Sequence, residues 1–123
     1  MQTALFTDLY ELAMAQAYVA DGFTGEAEFE VFFRDLGPRR SYILAAGLEH
    51  LVESLGEWRF SDRELAYLES LHQFTPAFLA WLRSLDFDGD VETVAEGTAV
   101  FANEPLLRLR APLPVAQLLE TRV

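Results

Sequence analysis

A strict alternation of side chains between residues 26 and 34 constrains the fold most. Positions 27, 29, 31 and 33 are apolar, whereas the intervening positions are charged except for Phe32. A period of two is that of a β-strand with one buried face. The segment therefore predicts a strand whose apolar side is covered by other parts of the chain.

Helical periodicity predicts helices over residues 8–20, 42–55, 61–70 and 77–85, and a further helix that begins at residue 115. The first starts with an Asp version of the capping box, in which Asp8 and Glu11 each accept a free N–H of the other. Ser61 and Glu64 form the same motif for the third helix. Two adjoining stripes of side chains along the first helix are both apolar, so we expect this helix to lie between two layers of the fold.

The last third of the chain changes to short strands. Residues 91–94, 99–102 and 106–111 are separated by turn sequences, and such short connections favour antiparallel neighbours. Pro112 and Pro114 end this pattern. A chain of 123 residues without an internal repeat or linker predicts one small domain, residues 1–123.

The charge balance restricts the class of partner. Twenty acidic residues against nine basic ones give a formal net charge of −11, which repels phosphate backbones and anionic lipids. We therefore expect no nucleic acid and no membrane as partners. The sequence has no cysteine, no signal peptide and no apolar run of about 20 residues, so a soluble protein in the cytoplasm is expected.

Two features suggest ligand contacts. Tyr10 lies in the first turn of a helix, where the positive end of the helix dipole and a flat ring could hold a planar anion; simple packing is the alternative. Arg34, Arg39 and Arg40 form the only local cluster of positive charge. A solvated loop accounts for Arg39 and Arg40, whereas Arg34, at a strand end, is better suited to a phosphate.

Catalytic constellations are scarce. The two histidines, His50 and His72, lack a second ligand at metal-binding spacing, so structural or surface roles are expected. The acidic residues around Gly89 lack the later glutamate of a calcium loop and predict an acidic turn. No phosphate-binding loop and no activated serine motif is present. We therefore predict no catalytic residue and no metal site in this chain.

Five segments follow one another along the chain: Thr-Asp-Leu-Tyr-Glu-Leu in the first helix, Phe-Glu-Val-Phe-Phe-Arg in the strand, Ala-Ala-Gly-Leu-Glu, Glu-Gly-Thr and Asn-Glu-Pro-Leu-Leu-Arg. Together, and in this order, they resemble the N-terminal part of nicotinate phosphoribosyltransferase. Members of this family make nicotinate mononucleotide and pyrophosphate from nicotinate and phosphoribosyl pyrophosphate, usually coupled to ATP hydrolysis. This reaction is the entry step of NAD salvage.

The resemblance implies an α+β fold, an α/β sandwich with a small antiparallel sheet and packed helices. In the full enzyme this domain packs on an α/β barrel, within a homodimer whose active sites lie between the sandwich of one subunit and the barrel of the other. Tyr10 would stack on the pyridine ring, Asp8 would lie in the same wall, and Arg34 would approach the phosphates of the sugar substrate.

The resemblance also implies that part of the active site lies outside these 123 residues. The family's barrel holds a phosphorylatable histidine, and neither His50 nor His72 has its sequence context. We therefore expect an N-terminal fragment that ends at the start of the barrel-connecting helix and is inactive alone, with ATP and magnesium bound only by the full enzyme. The alternatives are a non-enzymatic interaction module and one half of a split enzyme.

Overall fold

The computed structural model describes residues 3–123, which form five helices and five short strands. The helices are α1 (Leu9–Asp21), α2 (Leu48–Gly56), α3 (Asp62–Ser70), α4 (Pro76–Arg83) and α5 (Leu113–Leu118). The strands are β1 (Glu26–Val31), β2 (Ile43–Leu44), β3 (Asp90–Thr93), β4 (Ala99–Val100) and β5 (Leu107–Pro112). The predicted α+β class is confirmed.

The main sheet has three antiparallel strands in the order β1-β5-β3. Its inner face is apolar: Leu109 of the central strand is fully buried and is paired with Phe29 on one side and Val91 on the other. Its outer face is charged, with Arg108 2.7 Å from Glu30. The alternation in the sequence therefore separates a buried face from a solvated face, as predicted.

The predicted helix over residues 42–55 is wrong in its first part. Residues 43 and 44 form β2, which pairs with β4 so that Ile43 faces Val100. The N–H of Ala45 donates to the Thr98 carbonyl at 2.9 Å. Gly47 then has a φ of 87°, in the left-handed region, so α2 begins only after it.

Two further sequence predictions are corrected by these long-range pairings. The predicted strand over 99–102 is shorter and pairs with β2, not with its sequence neighbours. The predicted strand over 26–34 ends at Val31, whose carbonyl accepts the N–H of Leu106 from outside β5. Beyond Val31 the two segments no longer form a regular ladder of backbone hydrogen bonds.

α5 lies at the centre of the packing. It is shorter than the helix predicted from residue 115 onward, and its residues from Pro114 to Leu118 are all buried. It packs against α1 and the sheet, so that Ala15 of α1 and Ala116 of α5 are completely inaccessible. The core is therefore built between a helical layer and the inner face of the sheet.

The expectation that α1 lies between two layers is not met by the described residues. Its inner side buries Leu12 and Ala15, whereas Leu9 and Tyr10 keep 51% and 49% of their surface exposed. Met14, one turn beyond Tyr10, is also exposed. α1 thus presents an apolar outer face. No helix within residues 3–123 is long and apolar enough to cross a membrane.

Candidate functional site

The first turn of α1 contacts the turn that follows α5. The N–H of Asp8 donates to Glu11 Oε2 at 3.2 Å, which is the return half of the predicted capping box. The hydroxyl of Thr121 lies 2.6 Å from Glu11 Oε1 and 3.3 Å from Asp8 Oδ2. Glu11 is completely buried. Residues 110 positions apart therefore define one end of the helix.

Tyr10 lies on the open side of this corner. Its ring is half-exposed, and its hydroxyl is 3.5 Å from Glu11 Oε1, a long contact. Desolvation by surrounding protein, followed by the negative charges of Glu120 and Glu11, raises the pKa of Tyr10 to about 12. The hydroxyl is therefore neutral near pH 7, and about half of the residue's surface is open to a partner.

Asp8 and Tyr10 are brought together by the helix, whereas Arg34 lies on a different element. Arg34 is exposed in the segment after β1, and its side chain forms no hydrogen bond or ion pair within residues 3–123. The segment itself is fixed, because the N–H of Asn103 donates to the Phe33 carbonyl at 2.8 Å. The Asn-Glu-Pro motif therefore holds the Phe-Phe-Arg motif, which leaves the guanidinium free for an anion.

A second pair of motifs also meets in space. The carboxylate of Glu96 accepts the N–H of Gly47 at 3.1 Å and the N–H of Glu49 at 3.0 Å. Gly47 is the cap residue and Glu49 the second residue of α2, and Gly47 has no side chain with which to cap the helix. The Glu-Gly-Thr and Ala-Ala-Gly-Leu-Glu segments thus build one structural unit.

Sequence reasoning missed the residues that support Tyr10. Glu11 was recognised only as a capping residue, although a charged residue inside an apolar helix is a signal for a buried hydrogen-bond network. Thr121 gives no local signal, because its partner lies 110 positions away. Glu120, whose charge faces Tyr10, gives none for the same reason.

The described residues offer no set of metal ligands. No group of three or more His, Cys, Asp or Glu side chains within residues 3–123 is arranged to hold a metal ion. His50 and His72 are both exposed, in separate parts of the fold. What the corner at α1 presents is a half-exposed aromatic ring beside carboxylates.

Comparisons with known proteins show to which family the chain belongs. Residues 5–123 match the model of the nicotinate phosphoribosyltransferase (NAPRTase) N-terminal domain. The chain is 55% identical over 120 residues to nicotinate phosphoribosyltransferase pncB2 of Mycobacterium tuberculosis, covering 98% of this chain and 26% of the relative. It is 43% identical over 119 residues to nicotinate phosphoribosyltransferase of Bacillus subtilis, covering 96% and 24%.

A solved structure shows the same fold. The crystal structure of human nicotinic acid phosphoribosyltransferase matches with a TM-score of 0.83 at 40% identity, covering 94% of this chain and 24% of the human chain. The chain thus spans about a quarter of the length of the relatives it matches. It belongs to the nicotinate phosphoribosyltransferase family and corresponds to that family's N-terminal domain.

Proposed function

We propose that this chain is the N-terminal domain of an enzyme that converts nicotinate and phosphoribosyl pyrophosphate into nicotinate mononucleotide and pyrophosphate, coupled to ATP hydrolysis. One observation carries the proposal: 98% of the chain aligns at 55% identity with a relative named nicotinate phosphoribosyltransferase. The reaction transfers a glycosyl group, and its coupling to ATP gives it the character of a ligase. It would serve NAD salvage.

In this role the domain positions substrates. The half-exposed ring of Tyr10 stacks on the pyridine ring, and Asp8 lies beside it. Arg34 reaches the phosphates of the sugar substrate, for which a guanidinium provides a planar set of donors. The contacts that fix the first turn of α1 and the segment after β1 support these assignments.

The chemistry of the reaction is consistent with a domain that supplies no general base. The pyridine nitrogen has a lone pair and no proton to lose, so it attacks C1 of the ribose directly. The N–C1 bond forms as the C1–O bond to pyrophosphate breaks, and pyrophosphate leaves with that electron pair. The product ring becomes a pyridinium cation. What the protein must provide is alignment of the ring and stabilisation of the phosphates.

The remaining parts of the site would come from partners. We propose that α/β barrel domains of the same and of a neighbouring subunit complete it in a homodimer, and that ATP and magnesium bind to the complete enzyme at residues outside this chain. The exposed apolar face of α1, with Leu9, Tyr10 and Met14, supports a covering partner. A cytoplasmic location is proposed as well, with which the absence of cysteine is compatible.

The test compares the 123-residue chain with the complete enzyme. Each is incubated with nicotinate, phosphoribosyl pyrophosphate and magnesium ATP, and nicotinate mononucleotide is measured by chromatography. We expect product from the complete enzyme and none from the chain alone. A complete enzyme without product would contradict the proposed activity, and product from the chain alone would contradict its role as a positioning domain.

A further inference from the structure

The buried carboxylate of Glu11 has no part in the function described so far. Its side chain is 0% exposed, and within residues 3–123 no Lys, Arg or His forms an ion pair with it. A carboxylate removed from water is costly unless donors surround it. Its place inside the first turn of α1 therefore needs an explanation beyond packing.

Three donors satisfy this carboxylate, and the hydroxyl of Tyr10 makes a fourth, longer contact. The hydroxyl of Thr7 and the N–H of Asp8 donate to Oε2, the latter at 3.2 Å. The hydroxyl of Thr121 donates to Oε1 at 2.6 Å, and the hydroxyl of Tyr10 lies 3.5 Å from the same atom. Glu11 thus links the start of α1 to the turn after α5.

Thr121 links both acidic residues of the corner. Its hydroxyl lies 2.6 Å from Glu11 and 3.3 Å from Asp8, and its single proton favours the shorter contact. Glu120, the preceding residue, is itself held by Gln117, whose amide donates to its carboxylate at 2.5 Å. The turn is thus ordered within its own segment by Gln117 and tied to α1 by Thr121.

About half of the surface of Tyr10 is open, so the chain covers only one side of this residue. The ring direction is then set by the backbone of the first turn, which the hydrogen bonds of Glu11 hold in place. We propose that Glu11 and Thr121 are positioning residues that hold Tyr10 and Asp8 in the orientation that receives nicotinate. This inference rests on the proposed function and assigns two residues to its nicotinate site.

A matched pair of variants at Thr121 tests the inference in the complete enzyme. Thr121→Val removes the hydroxyl at nearly constant volume, whereas Thr121→Ser keeps it. We expect Thr121→Val to raise the KM for nicotinate at least fivefold, with the KM for phosphoribosyl pyrophosphate unchanged, and Thr121→Ser to stay within twofold of the wild type. An unchanged KM for nicotinate in Thr121→Val would overturn the inference, as would an equal loss in both variants.

A double-mutant cycle separates this inference from the proposed function. If Thr121 acts through Tyr10, Thr121→Val adds little to the KM for nicotinate in a Tyr10→Ala background. Additive effects would overturn the positioning of Tyr10 by Thr121 while leaving the assignment of Tyr10 itself intact. If Tyr10→Ala alone leaves the KM unchanged, both assignments fail.

Hydrogen exchange gives a readout that does not depend on turnover. In the complete enzyme, amides of residues 8–12 should exchange at least tenfold faster in Thr121→Val than in Thr121→Ser, because the first turn loses its tie to the turn after α5. Equal exchange in the two variants would overturn the inference even if the enzyme acts on another substrate.

Discussion

Gly47 donates its backbone N–H to the carboxylate of Glu96 at 3.1 Å, so α2 is capped by a residue 49 positions away. The same carboxylate accepts the N–H of Glu49 at 3.0 Å. A cap of this kind ties the position of the helix to the loop between β3 and β4, whereas an ordinary cap acts only within its own segment.

Glu96→Ala should lower the free energy of unfolding by about 1–2 kcal/mol, the usual effect of losing a helix cap. Urea denaturation of the 123-residue chain measures the loss. Glu53→Ala, an exposed change on α2 itself, is the control and should be nearly neutral. Equal effects of the two changes would show that Glu96 does not cap the helix.

Tyr10→Ala should raise the KM for nicotinate in the complete enzyme by roughly 5- to 100-fold, as expected for a lost stacking contact with a ring. Tyr10→Phe keeps the ring and should stay close to the wild type. Tyr67, 56% exposed on α3, provides the control, because Tyr67→Ala removes an equally open ring elsewhere. An unchanged KM in Tyr10→Ala would reduce this residue to a packing role.

The hydroxyl of Tyr10 should titrate at about pH 12, against its ordinary pKa of 10.0, because desolvation and the charges of Glu120 and Glu11 disfavour the anion. Between these values the unfolded chain releases a proton that the folded chain keeps, so this residue makes stability fall as pH rises from about 10 to 12. Ultraviolet absorbance of the wild type minus Tyr10→Phe isolates its titration. A titration midpoint near pH 10 would contradict the raised pKa of Tyr10.

Arg110→Gln should destabilise the chain more at pH 7 than at pH 3. The hydrogen bond from Arg110, 2.7 Å from Glu28, holds the pKa of Glu28 below its usual 4.5, so this stabilisation is present above that pH and lost as the carboxylate is protonated. Urea denaturation at the two pH values gives the difference. Arg63→Gln, with no ion pair among the described residues, should show no such dependence.

Gly89→Ala should cost about 1–3 kcal/mol of stability. A Cβ at this position would overlap the carbonyl oxygen of Arg110 in the central strand and lie 3.0 Å from the Cβ of Ala111. Gly25→Ala is the matched control, because a Cβ there meets nothing within 4 Å. Thermal unfolding compares the two, and equal midpoints would show that β3 and β5 can separate without cost.

Features determined by neighbouring residues could be predicted from the sequence. The capping residues Asp8, Ser61 and Thr75 all begin helices in the structure, since a cap depends on residues within one turn. The alternation of Glu28 and Phe29 likewise placed one face of β1 correctly. These patterns depend on residues close together in the sequence, and tertiary contacts did not override them.

Features determined by residues far apart in the chain could not be predicted from the sequence. Ile43 and Leu44 fit a helical stripe as well as a strand, and only their pairing with residues 99 and 100 decides for the strand. The exposure of Tyr10 has the same origin, because the apolar pattern of α1 does not tell which side the rest of the chain covers. The contact between Glu11 and Thr121 needs the folded chain to be seen at all.

The place of β5 in the middle of the sheet has a consequence for how the chain folds. β1 and β3 are made before β5, and within residues 3–123 they pair only with it, as in the pairing of Phe29 with Leu109. During synthesis both strands therefore have unpaired edges until β5 is made, and unpaired strand edges favour aggregation. The glutamates of β1, at positions 26, 28 and 30, give the unpaired strand a negative charge that should repel other copies of the chain. Once β5 has been made and has paired with β1, Arg108 and Arg110 neutralise this charge.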